Sequence, residues 1–246
     1  MPNSMSVYGD PERIKGAVKG TTGRFRRRLE WRSLSTLHKI RKKTGLLPDP
    51  TTRRIIVGIG MHRTGTRSLA QYLSLLGFRV VHWPWWSEHQ VRAVTRDPEV
   101  VADILEPMFF HYDAFTDVPF PGLYKVLDKR FPESRFVLIR RDPEQWWNSL
   151  CRHWGLEGNE YHLDPFEVIA YAESTPSDLC AVSRADEGFM KDVLLRHTHL
   201  VENYFATRPE KLLVVDLEDD AINKRISDFL GLNVIPYPHE RSAAWP

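Results

Sequence analysis

Cysteine is scarce in this chain. Cys151 and Cys180 are the only two in 246 residues, and they lie 29 positions apart without a metal-type spacing. This fits a reducing compartment better than a secreted disulfide scaffold. Long hydrophobic runs are missing too: no stretch of 18 apolar residues exists, and the N-terminus lacks the short apolar segment of a signal peptide. A soluble, cytoplasmic protein is expected. There are no internal repeats and no low-complexity tract. Overall charge is also small, at +2, but it is unevenly placed. Residues 1–54 carry 14 Lys and Arg against 4 Asp and Glu, leaving 20 against 28 for the rest.

What is present is enough apolar material, 42% with 11% aromatic, to bury one sizeable core. The sequence divides near the two prolines of "LLPDPTT". Residues 1–50 read as a basic, partly helical extension, and 51–246 as one catalytic-sized domain. Within the extension, Phe25, Leu29, Trp31, Leu34, Leu37 and Ile40 fall at roughly helical spacing among many cations. Residues 24–43 are therefore a candidate for peripheral contact with an anionic membrane or polyanion. The plainer alternative is a helix packed on the domain.

From residue 54 onward, short β-rich runs alternate with amphipathic segments. Strands are expected at 54–58, 78–82, 114–117, 135–140 and 212–217, and helices at 66–76, 98–109, 122–131, 143–154 and 187–207. This alternation predicts an α/β fold, a three-layer sandwich with a central parallel sheet. Ligands of such sheets sit beyond the carboxyl ends of the strands.

The first strand runs into "GIGMHRTGTRS", residues 58–68. Gly60 and Gly65 enclose four residues before a helix start, an outline that offers backbone N–H groups and the positive helix end to an anion. A nucleoside-triphosphate loop would continue with Lys and a magnesium-binding Ser or Thr. Here Thr66 and Arg67 stand instead, and a guanidinium cannot ligate magnesium. No metal is expected, and its charge-neutralising role passes to Arg63 and Arg67. A dinucleotide fingerprint fails because Arg63 falls where the third glycine belongs. His197 and His199, two apart on a helix, face different ways, and "HERSA" lacks the second His of a zinc-protease helix.

A second junction, "FVLIRRDPEQWWNSL", gives a strand ending in Arg140 and Arg141, then Asp142 as N-cap and Pro143 at the first helical position. At this point the sequence resembles a known family. "HRTGT" resembles the "PKSGT" or "GRTGT" loop of sulfotransferases that use 3′-phosphoadenosine 5′-phosphosulfate. "RDPEQWWNS" is similar to their "RNP" segment, with Ser149 eight residues after Arg141. The likeness extends from about residue 54 to 232, where "ISDFLGL" is a late echo, and it implies a P-loop-like nucleotide-hydrolase fold.

The resemblance implies that Arg63, Thr64, Gly65 and Thr66, with Arg67 and Ser68, surround the 5′-phosphosulfate, while Arg141 and Ser149 grip the 3′-phosphate. Two separated cationic pockets are expected on this view. Arg63 stands where the family commonly has Lys, so its implied role is electrostatic stabilisation. "FTDVP" resembles the family's "KTHLP" strand end, which puts Asp117 in the slot of the general base. His82, at the end of the second strand, is the rival base and His62 the outsider. Asp113 is expected to orient its strand or pair with an arginine. Trp83, Trp85 and Trp86 offer stacking faces for an acceptor.

The implied activity is metal-independent, in-line sulfuryl transfer from 3′-phosphoadenosine 5′-phosphosulfate to a hydroxyl or amine on a small-molecule, glycan or lipid acceptor, leaving adenosine 3′,5′-bisphosphate. No nucleic-acid partner is expected. The alternatives are a nucleotide-dependent kinase on the same topology and a non-catalytic nucleotide-binding protein with a membrane- or polyanion-binding extension.

Overall fold

The computed structural model describes residues 29–84, 97–154, 165–171, 173 and 186–238. Five strands form one parallel sheet: β1 (Ile56–Gly58), β2 (Val80–His82), β3 (Ala114–Thr116), β4 (Arg135–Arg140) and β5 (Leu212–Asp216). Their spatial order is β2-β3-β1-β4-β5, so β1 lies centrally between β3 and β4, with Gly58 in register with Val137. The helices are α1 (29–43), α2 (Thr66–Leu75), α3 (Pro98–His111), α4 (Tyr124–Arg130), α5 (Pro143–Trp154), α6 (Pro165–Tyr171), α7 (Glu187–Phe205) and α8 (Ile222–Leu230).

Alternation along the strands creates two cores. In β4, Phe136 and Leu138 point into a large cluster with residues of α3, α4, α5, α6 and α7, such as Leu105, Leu127, Trp146, Ile169 and Val201. Val137 and Ile139 point the other way, onto Leu69, Tyr72 and Leu73 of α2 and Ile222 and Ile226 of α8. A sheet covered on both faces explains why its strands read as continuous apolar runs. The expected three-layer α/β sandwich is the architecture observed.

Helix starts follow their caps. Asp97 accepts from the Glu99 N–H at 2.9 Å ahead of Pro98, Asp142 from Gln145 at 2.9 Å ahead of Pro143, and Asp186 from Phe189 at 2.8 Å. Helix α1 lies on α3. Trp31 is buried in the large core, and His38 Nε2 is 2.8 Å from Glu106 Oε2. Two strands begin later than expected, the central β1 at Ile56 and the edge strand β2 at Val80. Ladder pairing in β1 starts at Ile56, and Arg53 instead sends its side chain to the carbonyls of Phe109 and Tyr112. No helix among the described residues is long and apolar enough to cross a membrane.

Candidate active site

Strand order decides which junctions meet. Reading across the carboxyl edge of the sheet from β2 to β4, the residues in turn are His82, Asp117, the loop 59–65 and Arg141, so segments far apart in sequence become consecutive in space.

The loop is shaped by close contacts. A Cβ on Gly60 would lie 2.6 Å from Thr64 Oγ1 and 2.9 Å from the Ile139 carbonyl oxygen, and one on Gly65 would lie 2.5 Å from Leu217 Cδ1. Gly65 also has φ 90° and Arg63 φ 65°, the left-handed region that turns the chain into α2. Thr64 spends both donors inside the loop, its hydroxyl at 2.6 Å and its N–H at 3.2 Å from the Met61 carbonyl. Its side chain therefore shapes the turn. From behind, Trp146 Nε1 of α5 donates to the His62 carbonyl at 2.7 Å, and His197 Nε2 of α7 donates to the Ile59 carbonyl at 2.7 Å.

Onto this frame the arginines converge. Arg63 directs Nε and Nη2 to Ser149 Oγ at 3.2 and 3.1 Å, and Arg141 Nη1 donates to the Arg63 carbonyl at 2.7 Å. Burial, followed by the charges of Arg141 and Arg67, lowers the pKa of Arg63. Arg141 is lowered by burial too, and its Nε is buried with no hydrogen-bond partner among the described residues. A set of mutually repelling, partly desolvated cations with an unmet donor is suited to a multiply charged anion. The expectation of two separated pockets needs correction. Because β1 and β4 are neighbours, their loops abut, and Arg63 bridges to Ser149 in one continuous cationic cluster.

Facing the loop is a carboxylate–imidazole pair. Asp117, with φ 74°, directly follows β3. Its Oδ1 accepts from the Val118 N–H at 2.9 Å, and its Oδ2 accepts from the Thr66 hydroxyl at 3.3 Å. His82 places Nε2 3.3 Å from the same Oδ2 and Nδ1 2.9 Å from Thr116 Oγ1. Burial holds the His82 pKa below 6.5, with Arg67 pushing the same way and Asp117 opposing. The ring is thus neutral near neutral pH.

The sulfotransferase domain family model matches residues 55–245. The chain belongs to the sulfotransferase domain family. Its fold is similar to a solved sulfotransferase from Alicyclobacillus acidocaldarius, with 16% identity, 79% of this chain and 87% of that one covered, and a TM-score of 0.47. A shikimate kinase from Bacteroides thetaiotaomicron shares 13% identity over 73% of this chain and 99% of that one, at a TM-score of 0.43. An unliganded sugar kinase from Janibacter shares 13% over 74% and 95%, at 0.38. At these levels none of the three distinguishes sulfuryl from phosphoryl transfer. No curated protein sequence matches the chain.

Other sequence-derived candidates of this sulfotransferase domain fall outside the pair and the cluster. The His62 ring is turned into the interior, where it meets the Tyr171 hydroxyl, packs 5.9 Å from the Trp146 ring and lies 3.5 Å from Glu167 Oε1; burial pushes its pKa down to about 4. It pins the loop to α5 and α6. Sequence reasoning missed α6 and with it Glu167 and Tyr171, although their i, i+4 spacing after Pro165 is a helical signal. Ser68 is buried in the first turn of α2. Asp113 pairs with Arg79 at 2.9 Å, and Arg140 at the second junction with Asp216 at 2.9 Å. Trp83 is exposed, whereas Trp85, Trp86, Cys180 and Arg241 lie outside the described residues. A nearby cavity of ≈ 290 Å³ at the end of β5 is lined by Glu218, Asp219 and Asp220. Its acidic wall disfavours an anion there.

Proposed function

We propose that this protein transfers a sulfuryl group from 3′-phosphoadenosine 5′-phosphosulfate to a hydroxyl-bearing acceptor, with Asp117 as the general base. The observation that carries this reading is the convergence of Arg63, Arg141 and Ser149 on the β1 loop, directly beside the Asp117–His82 pair, in a member of the sulfotransferase domain family.

The residues present fit the donor. Its two anionic groups require many donors and cations within one contiguous site, which the loop N–H groups, Arg63, Arg67, Arg141 and Ser149 provide. In the reaction, Asp117 takes the acceptor hydroxyl proton as that oxygen forms its bond to sulfur. The sulfur–oxygen bond to the 5′-phosphate breaks, and adenosine 3′,5′-bisphosphate departs with the electron pair. Arg63 and Arg67 stabilise the charge on the bridging oxygen. His82, with Nε2 toward Asp117, holds the carboxylate in place, and Asp117 becomes the neutral acid once it has taken the proton. Fixed guanidinium groups supply the neutralisation, so no metal is required. The acceptor is a small molecule, glycan or lipid hydroxyl.

The test is release of adenosine 3′,5′-bisphosphate from the donor in the presence of an acceptor panel, set against release of ADP from ATP with Mg²⁺. Acceptor-dependent bisphosphate release that Asp117→Asn abolishes, while bisphosphate binding persists, supports the reading. ADP release would establish a kinase. Binding without turnover under every acceptor class would point to a non-catalytic nucleotide-binding protein.

A further inference from the structure

Helix α1 has two faces of different kinds. Its inner face is fixed to the domain: Trp31 is buried, Lys42 Nζ is 2.7 Å from Glu106 Oε2, and the Tyr112 hydroxyl donates to Glu30 Oε1 at 2.5 Å. At 100° per residue, Trp31, Leu34, Ser35 and His38 share that side, and the opposite side carries Leu29, Ser33, Thr36 and Ile40, with Leu37 at its edge. Leu29 is 46% exposed, Leu37 43% and Ile40 54%, and Leu46 just beyond the helix is 71% exposed. Arg32, Lys39 and Lys43 form one exposed line beside this apolar ridge, with Arg41 on its other flank. Glu30, the sole acid of residues 29–43, is engaged with Tyr112.

We infer that the outer face of α1 docks on an anionic lipid bilayer surface, its leucines and isoleucine entering the headgroup boundary and its cations meeting the lipid phosphates and carboxylates. An apolar ridge flanked by Lys and Arg, with no uncompensated acid, has the pattern of an in-plane interfacial helix. A polyanion such as heparin or nucleic acid would use the cations and leave the apolar ridge in water. A membrane uses both. Arg24, Arg26, Arg27 and Arg28 immediately precede the helix in sequence and add to the same charge. Because the inner face is held by the buried Trp31 and the contacts to Glu106, the outer face is presented without detaching the helix. This inference does not depend on the sulfuryl-transfer reading, and vesicle binding would survive that reading's failure.

The experiment is co-sedimentation of the full chain with phosphatidylcholine vesicles and with vesicles in which part of that lipid is replaced by phosphatidylserine, at low and near-physiological salt. Two variants accompany the parent, Arg32→Glu/Lys39→Glu/Lys43→Glu and Leu37→Ser/Ile40→Ser. All five positions are exposed, so both variants keep the parent's melting temperature. The expected result is partitioning onto phosphatidylserine vesicles alone. It falls with salt, falls by roughly fivefold or more for each cation reversed, and falls several-fold when the ridge is made polar. No binding to the anionic vesicles overturns the inference, as does binding that neither variant alters. Loss on charge reversal with the Leu37→Ser/Ile40→Ser variant unchanged reassigns the face to a soluble polyanion. A parent dimer in light scattering that this double variant dissociates reassigns it to self-association.

Discussion

Asp117 holds a left-handed backbone conformation, φ 74°, that Asn adopts as readily as Asp, so Asp117→Asn removes the carboxylate charge and leaves the turn intact. Loss of a general base lowers turnover by about 10²–10⁴-fold; release of bisphosphate under saturating donor is expected to fall at least a hundredfold, with donor affinity little changed. Arg141 supplies the complementary case. Its Nη1 orders the loop through the Arg63 carbonyl, and its buried Nε is unmet. A charged hydrogen bond contributes about 1.5–3 kcal/mol, so Arg141→Ala should weaken adenosine 3′,5′-bisphosphate by roughly ten- to a hundredfold in calorimetry. Unchanged affinity would remove Arg141 from the anion site. The placement of both residues at the carboxyl ends of strands was legible in the sequence. The bridging of Arg63 to Ser149 was not, since it depends on which strands are neighbours.

At the scale of elements, the loop 59–65 is held from behind by α5 and α7. Trp146 on α5 donates to the His62 carbonyl, and Trp146→Phe leaves that buried carbonyl without this donor. The expected cost is about 1–3 kcal/mol in urea unfolding, together with weaker bisphosphate binding as the loop loosens. An equal midpoint and equal affinity would show that the contact is incidental. Strand and helix positions were readable from periodicity and caps, and β4 and α5 match their expected bounds. Helix α6 escaped because seven residues give less than two turns of pattern, and its role becomes visible only where Glu167 and Tyr171 meet His62. Loop residues that looked alike in sequence also divide in function: Thr64 turns inward to Met61, while Thr66 reaches Asp117.

Over the whole molecule, two buried histidines tie stability to pH. His62 and His197 are both pushed from 6.5 to about 4 by burial. Between those values the unfolded chain binds protons that the folded chain refuses. Stability is therefore complete above about pH 6.5 and falls as pH drops toward 4, by up to about 1.4 kcal/mol per pH unit for each proton. The melting temperature should decline across that window, and His197→Gln should flatten the decline while lowering the plateau through loss of the Ile59 contact. A flat profile in the parent would contradict buried, neutral rings. The same global arrangement places the site: the order β2-β3-β1-β4 brings His82, Asp117, the loop and Arg141 together, and that order is set by packing on both sheet faces, beyond what any single segment encodes. The central claim is a metal-independent site for a nucleotide carrying both 3′- and 5′-anions. It is tested most directly by calorimetric titration of the purified chain with adenosine 3′,5′-bisphosphate and with ATP, each with and without Mg²⁺. The account predicts bisphosphate binding that ignores Mg²⁺ and is weakened roughly ten- to a hundredfold in Arg141→Ala; Mg²⁺-dependent ATP binding with no response to the bisphosphate would contradict it.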